Sequence, residues 1–241
     1  AADVAVELDV VQVVLGGLKD HARDLARAKR IVFVGQGTAL HAAMVGERAW
    51  IASFSLSLSI FVSNSAREPA GSVRAMLEHR GRRRHTVLDL DWRPMFWESP
   101  EAATERISPI LDRATIAIGN RDECQIAVGT RDPDEAADRL LERGLEMAVV
   151  KLGGDGVMVA TSDGVRERIP PFPVEVVCGL GAGDAFGGAF CHGLLSGWDP
   201  VDCVRFGNAA GAIVAARLMC ADDMPTVAEV EAFLADRAAG D

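Results

Sequence analysis

From about Arg84 onward, short apolar runs alternate with longer stretches whose apolar residues recur every three or four positions. Residues 85–90 (HTVLDL) read as a strand that ends in acids, 114–119 (ATIAIG) as a short buried strand, and 147–152 (MAVVKL) and 157–161 (VMVAT) as two more. Between them, 101–113 suits a helix interrupted by Pro109. Residues 133–145 suit an amphipathic helix with Pro133 at its start and Gly144 near its end. Gly153, Gly154, Asp155 and Gly156 form the turn expected of a β-hairpin between 147–152 and 157–161. Residues 173–177 (PVEVV) read as a further strand. Residues 184–196 and 201–218 read as helices rich enough in Ala and Gly to pack closely, and 226–238 as a helix polar on one side that caps the domain. Such alternation predicts an α/β architecture with a mostly parallel sheet, in which ligands bind beyond the carboxyl ends of the strands.

The first 60 residues are less regular. Residues 31–34 (IVFV) lead into Gly35, Gln36, Gly37 and Thr38, then into a helical stretch from Ala39 to Ala49. A strand, glycine turn and helix of this kind presents backbone N–H groups to a phosphate. It loosely resembles the phosphosugar-binding turn of sugar-isomerase domains, and it equally suits one more strand–helix unit of the main sheet. Residues 54–63 (FSLSLSIFVS) alternate like a strand with one polar face. The expected division is an amino-terminal segment, 1–60, of uncertain kind, followed by one α/β domain over 61–241.

Composition narrows the function. A formal net charge of −10 gives no general electrostatic support to a nucleic-acid or anionic-membrane partner. The one basic run, Arg80 to His85, reads as a solvated turn before a strand. The longest apolar stretch, Trp50 to Ser63, is too short to span a bilayer and is broken by serines. Asp3, Glu7 and Asp9 stand where a secretory leader would be basic. The 5 cysteines form no CxxC pair and no Cys/His metal spacing, and read as reduced, buried thiols. A cytoplasmic protein is expected.

The chemistry concentrates at 178–190 (CGLGAGDAFGGAF). Transfer of a phosphoryl group from ATP to an alcohol needs a base for the hydroxyl proton, fixed donors for the γ-phosphoryl, and Mg²⁺ held against the phosphates. The small residues Gly181, Ala182 and Gly183 let successive backbone N–H groups point into one space. A helix beginning there adds positive potential, which makes an anion hole. Asp184, in the first helical turn, is placed to accept the proton. A glycine-rich helix start with Asp184 as a cap is the plainer alternative.

The segment GAGDAF followed by a small-residue helix resembles the second signature of the PfkB/ribokinase family of carbohydrate kinases, and the resemblance extends over roughly the last 180 residues. It implies a ribokinase-like three-layer α/β/α fold and an ATP- and Mg²⁺-dependent kinase of a sugar or sugar acid. Asn120, Arg121, Asp122 and Glu123 match the family's NxxE motif, which implies that Asn120 and Glu123 organise Mg²⁺ through water; by itself the stretch is a polar turn. Lys151, Gly153, Gly154 and Gly156 match the strand and glycine turn beside the nucleotide, and a plain hairpin is the alternative. Asn208 matches the helix that lines the adenine, or it bonds a neighbouring backbone. Residues 89–97 (DLDWRPMFW) resemble the D-x-[ND]-x-R-P…W segment of the family's sugar-acid kinases, most of all those acting on 5-dehydro-2-deoxygluconate in myo-inositol catabolism. There Arg93 would neutralise charge and Asp89 orient its neighbours, or an Arg–Asp pair would simply stabilise the strand end. Kinases of 2-keto-3-deoxygluconate or fructose, and a non-catalytic phosphosugar-binding module, are the alternatives.

The chain departs from the family in two places. Cys178 and Gly179 stand where the family often has Asp-Thr. The usual GGxxxN segment and small β-sheet lid are not recognisable in residues 1–60, where 1–6 is at best a fragment of the expected helix. Because kinases of this family often associate through that lid, a homodimer is a further expectation.

Overall fold

The computed structural model describes residues 5–8, 11–14, 82–94, 97–218 and 224–238, the first two of these as backbone only. The GxGT turn at 35–38, the alternating run at 54–63 and Cys220 lie outside the described residues. Strands β1 (Ala5–Leu8) and β2 (Val11–Val14) pair antiparallel, Ala5 opposite Val14. Ala5 and Val6 are therefore in a strand and not in a helical fragment.

The main sheet runs β3 (Val87–Asp89), β4 (Ile116–Asn120), β5 (Met147–Lys151), β6 (Val157–Thr161) and β7 (Arg166–Ile169), in that order. The β3–β4 and β4–β5 pairs are parallel, whereas β5–β6 and β6–β7 are antiparallel hairpins, so the described sheet is mixed. Its helices are α1 (Pro100–Leu111), α2 (Arg121–Val128), α3 (Pro133–Glu142), α4 (Ala182–Ser196), α5 (Pro200–Ala215) and α6 (Val227–Ala238).

Side chains alternate across a strand, so each strand feeds two cores. Leu88, Ala117, Ala148, Val150, Met158 and Ala160 meet Ile107, Leu111, Ile126 and Leu140 of α1 to α3. Val87, Ile118, Val149, Val157 and Val159 meet Phe186, Phe190, Leu194 and Val204 of α4 and α5 on the other face. These are the three layers expected of a ribokinase-like α/β/α protein. Continuous apolar burial through β4 to β6 is what a sheet covered on both faces requires.

Pro109 does not interrupt α1. It lies in the last turn on the exposed side, where a missing backbone bond faces solvent. The expected strand at 173–177 does not form. Pro170, Pro171 and Pro173 offer no N–H for a ladder, and the N–H groups of Val177 and Cys178 instead donate to the carbonyl of Ala215 at the end of α5. The strand that precedes α4 is the edge strand β7.

Among the described cysteines, Cys124, Cys191 and Cys203 are buried free thiols, and Cys178 is half-buried. Burial pushes the Cys124 and Cys203 thiols up to about 12, so they are inert packing groups. No helix among the described residues is long and apolar enough to cross a membrane.

Helix α6 is tied down by Glu229. Its carboxylate accepts from the Thr226 N–H and hydroxyl at 2.8 Å each, and from Arg217 at 2.9 Å. The Thr226 N–H and the Arg217 guanidinium hold Glu229 down at about 2, against an ordinary 4.5. A carboxyl lowered on folding contributes stability that is fully present above its unfolded value and is lost as pH falls through its folded value. Glu229→Gln is therefore expected to be less stable than wild type at neutral pH, with the gap closing between pH 4.5 and 2. Denaturation midpoints of the two proteins across that range measure it, and a gap independent of pH would contradict the assignment.

Candidate active site

The three parallel strands end side by side in polar residues. Asp89 closes β3, Asn120 closes β4 and Lys151 closes β5, with Asn120 and Lys151 directly opposite in the ladder. A charged group at the end of an apolar strand is carried to the carboxyl edge of the sheet, and α/β proteins bind ligands there.

Asn120 also caps α2. Its Oδ1 accepts from the Asp122 and Glu123 N–H groups at 2.8 and 3.0 Å, while Glu123 Oε2 accepts from the Asn120 N–H at 2.6 Å. This reciprocal capping box fixes both NxxE residues in one orientation. Lys151 Nζ lies 3.7 Å from Glu123 Oε2 and 3.8 Å from Asp89 Oδ1. Burial opposes the charge on Lys151, but the carboxylates of Asp89, Glu123, Asp91 and Asp184 outweigh it and keep the ammonium protonated. Burial pushes Asp89 up to about 6, with Lys151 pulling the other way and Glu123 adding to the rise.

Helix α4 closes the site from the other side. Gly181, at φ 84°, turns the chain in the left-handed region that favours glycine, and α4 starts at Ala182 with Asp184 in its first turn. Close packing against α5 sets the helix's position. A Cβ at Gly211 would lie 3.0 Å from the Ala182 carbonyl, and one at Gly207 would lie 3.0 Å from that of Phe186. At Gly183 a Cβ would come within 3.7 Å of Lys151 Nζ, so the start of α4 reaches the strand ends. The charge on Asp184 acts on both Lys151 and Arg93. The structure thus gathers Asp89, Asn120, Glu123, Lys151, Gly183 and Asp184 at one end of the sheet.

The glycine turn after β5 is a 3₁₀ turn, Gly153–Asp155. Nothing lies within 4 Å of a Cβ at Gly153 or Gly154, so the turn has an open face. Arg121 at the head of α2 reaches across to Asp155 at 3.1 Å and joins this turn to the NxxE turn. Arg93 pairs with Asp91 at 2.8 Å, and Asp91 and then the charges of Glu123 and Asp184 raise its pKa. Asn208 Nδ2 donates to the Pro170 carbonyl at 2.9 Å, the backbone bond that the alternative reading of this residue allows.

The Lys151 ion pairs to Asp89 and Glu123 are not foreseen from the motifs. A signal for the Asp89 pair does exist: β3 and β5 are both apolar until a final charged residue, and parallel strands carry such residues to the same edge of the sheet.

For a hydrated Mg²⁺, the donors fit in kind. Asn120 and Glu123 offer hard oxygen, and Oε1 of Glu123 makes no hydrogen bond with the described residues. No group of three His, Cys, Asp or Glu residues that could hold a metal ion occurs among the described residues.

Comparison with known proteins places this constellation. The sequence model of the pfkB family carbohydrate kinase matches residues 56–227. The 5-dehydro-2-deoxygluconokinase of Clostridium perfringens is 36% identical over 152 residues, covering 61% of this chain and 45% of its own. That of Clostridium beijerinckii is 34% identical over 185 residues, covering 73% and 55%. The chain spans about half the length of the curated relatives it matches. Ribokinase of Thermotoga maritima superposes with a TM-score of 0.57 at 28% identity, over 73% of this chain and 56% of its own. Fructokinase of Vibrio cholerae, solved with fructose, ADP and calcium, superposes with a TM-score of 0.64 at 24% identity, over 76% and 63%. With the matched segment containing the strand ends, the NxxE cap and the start of α4, the chain belongs to the pfkB family of carbohydrate kinases.

Proposed function

We propose that the protein transfers the γ-phosphoryl of ATP, with Mg²⁺, to a hydroxyl of a sugar or sugar acid, and that its acceptor is 5-dehydro-2-deoxygluconate. The observation that carries the reaction is the meeting of Asp184, on the first turn of α4, with the polar ends of β3, β4 and β5. Asp184 takes the hydroxyl proton as the hydroxyl oxygen bonds to the γ-phosphorus, and the bond from that phosphorus to the β–γ bridging oxygen breaks, leaving ADP. The N–H groups of Gly181, Ala182, Gly183 and Asp184 surround the transferring group, where the helix terminus favours negative charge. Asn120 and Glu123 would hold the hydrated metal, which neutralises charge on the phosphates when bound. Gly153, Gly154 and Gly156 form the turn along which the nucleotide lies, with Lys151 beneath it and Asn208 toward the base. Arg93 supplies positive charge at the acceptor side.

The choice of acceptor rests on residues 89–97 and on curated relatives named as 5-dehydro-2-deoxygluconokinases. Cytoplasmic residence and homodimer formation belong to the same reading, and sedimentation of the purified protein measures the latter. ADP release with MgATP is to be followed across 5-dehydro-2-deoxygluconate, 2-keto-3-deoxygluconate, fructose and ribose. Release strongest with the first supports the proposal. Preference for another sugar replaces the acceptor, and release with none removes the kinase assignment for this chain.

A further inference from the structure

We infer that Lys151 is a positioning residue of the kinase site, the shared counter-ion that holds Asp89 and Glu123 in one arrangement before any ligand arrives. The inference rests on the kinase reading of the same site.

Three observations support it. Lys151 ends β5, with β4 lying between it and the Asp89 end of β3, and its side chain is only 20% exposed. Its ammonium is nearly equidistant from the two carboxylates, 3.8 and 3.7 Å away, and forms no hydrogen bond with the described residues. The carboxylates it separates are themselves 11% and 7% exposed. Two buried carboxylates near one another repel, and each is costly without a compensating charge. Glu123 is not free to turn away, because the Asn120 N–H fixes its Oε2. Without Lys151 the strain falls on Asp89 and on the capping box, hence on the NxxE residues assigned to the metal.

Lys151 also reaches the first turn of α4, within 3.7 Å of where a Gly183 side chain would begin. A residue acting only as a ligand of phosphate would have no need of Asp89. A residue acting as a counter-ion loses its task when Asp89 loses its charge. That difference gives a test.

MgADP binding to the purified chain is measured by calorimetry for wild type, Lys151→Met, Asp89→Asn and the double variant. Lys151→Met is expected to weaken MgADP by roughly tenfold or more, and Asp89→Asn in that background is expected to restore most of the loss. Wild-type affinity in Lys151→Met would overturn the inference. So would a double variant as weak as the single, because Lys151 would then act on the nucleotide directly. If Lys151→Met does not fold, the same cycle is read on denaturation midpoints with Lys151→Gln; a double variant more stable than the single supports the inference, and one equally or less stable overturns it. Preference for a sugar other than 5-dehydro-2-deoxygluconate, with an intact MgADP cycle, would remove the acceptor proposal and leave this inference standing.

Discussion

Asp184→Asn is expected to bind MgATP with near wild-type affinity while kcat falls by roughly a thousandfold or more. The substitution keeps size and hydrogen-bonding shape but removes the one carboxylate on the first turn of α4. It leaves untouched the backbone N–H groups of Gly181 to Gly183, so nucleotide phosphates keep their donors. Only the step that needs a proton acceptor is affected, and an effect confined to that step lowers kcat without a matching change in binding. Single-turnover rates and calorimetric MgATP binding on the same preparation separate the two quantities. Turnover within tenfold of wild type would remove Asp184 as the base and return it to the role of a helix-start residue.

The second large effect concerns the glycine turn. Gly156 sits at φ 90° and ψ −142°, a conformation that side chains rarely adopt. A Cβ there would lie 2.1 Å from the Ile169 carbonyl and 3.0 Å from Pro170 backbone, so neither neighbour can yield by rotating a side chain. Gly156→Ala is expected to destabilise the fold by about 3 kcal/mol or more, backbone strain and overlap adding. The overlap falls where β6 begins beside the end of β7, so it would loosen the antiparallel half of the sheet. Gly154→Ala is the matched control. Nothing lies within 4 Å of its Cβ, and its stability should stay within about 1 kcal/mol of wild type. Urea unfolding of the pair measures both. Equal midpoints would mean that the turn relaxes in a way the native contacts do not suggest.

The contrast between these two glycines bears on how much the sequence reveals. Both belong to one turn in the sequence, and both carry the same letter. Only the packing of Ile169 and Pro170 against the turn makes one of them obligatory and leaves the other facing open space.

Local periodicity was enough for β3 to β6 and for α1 and α3 to α6, whose apolar spacing has one geometric solution, whereas α2 reads by itself only as a polar turn. It failed at 173–177, where Val174, Val176 and Val177 have the composition of a strand. Three nearby prolines and the carbonyl of Ala215 divert the backbone instead. No property of residues 173–177 alone reveals the competing acceptor, since Ala215 is some 40 positions away in the chain.

The sequence by itself determined the family and the α/β alternation, and it singled out the GAGD and NxxE residues that the fold brings to one end of the sheet. Those depend on short motifs, GAGD and NxxE, whose small residues and capping pair act through local backbone geometry. Only the tertiary structure decided that Asp89, Glu123 and Lys151 form one ion-paired group and that Asn208 bonds Pro170. Their partners come from different strands, helices and loops. Electrostatic and hydrogen-bond energies depend on separations of a few ångströms that exist only after the sheet has assembled and α4 has packed on α5.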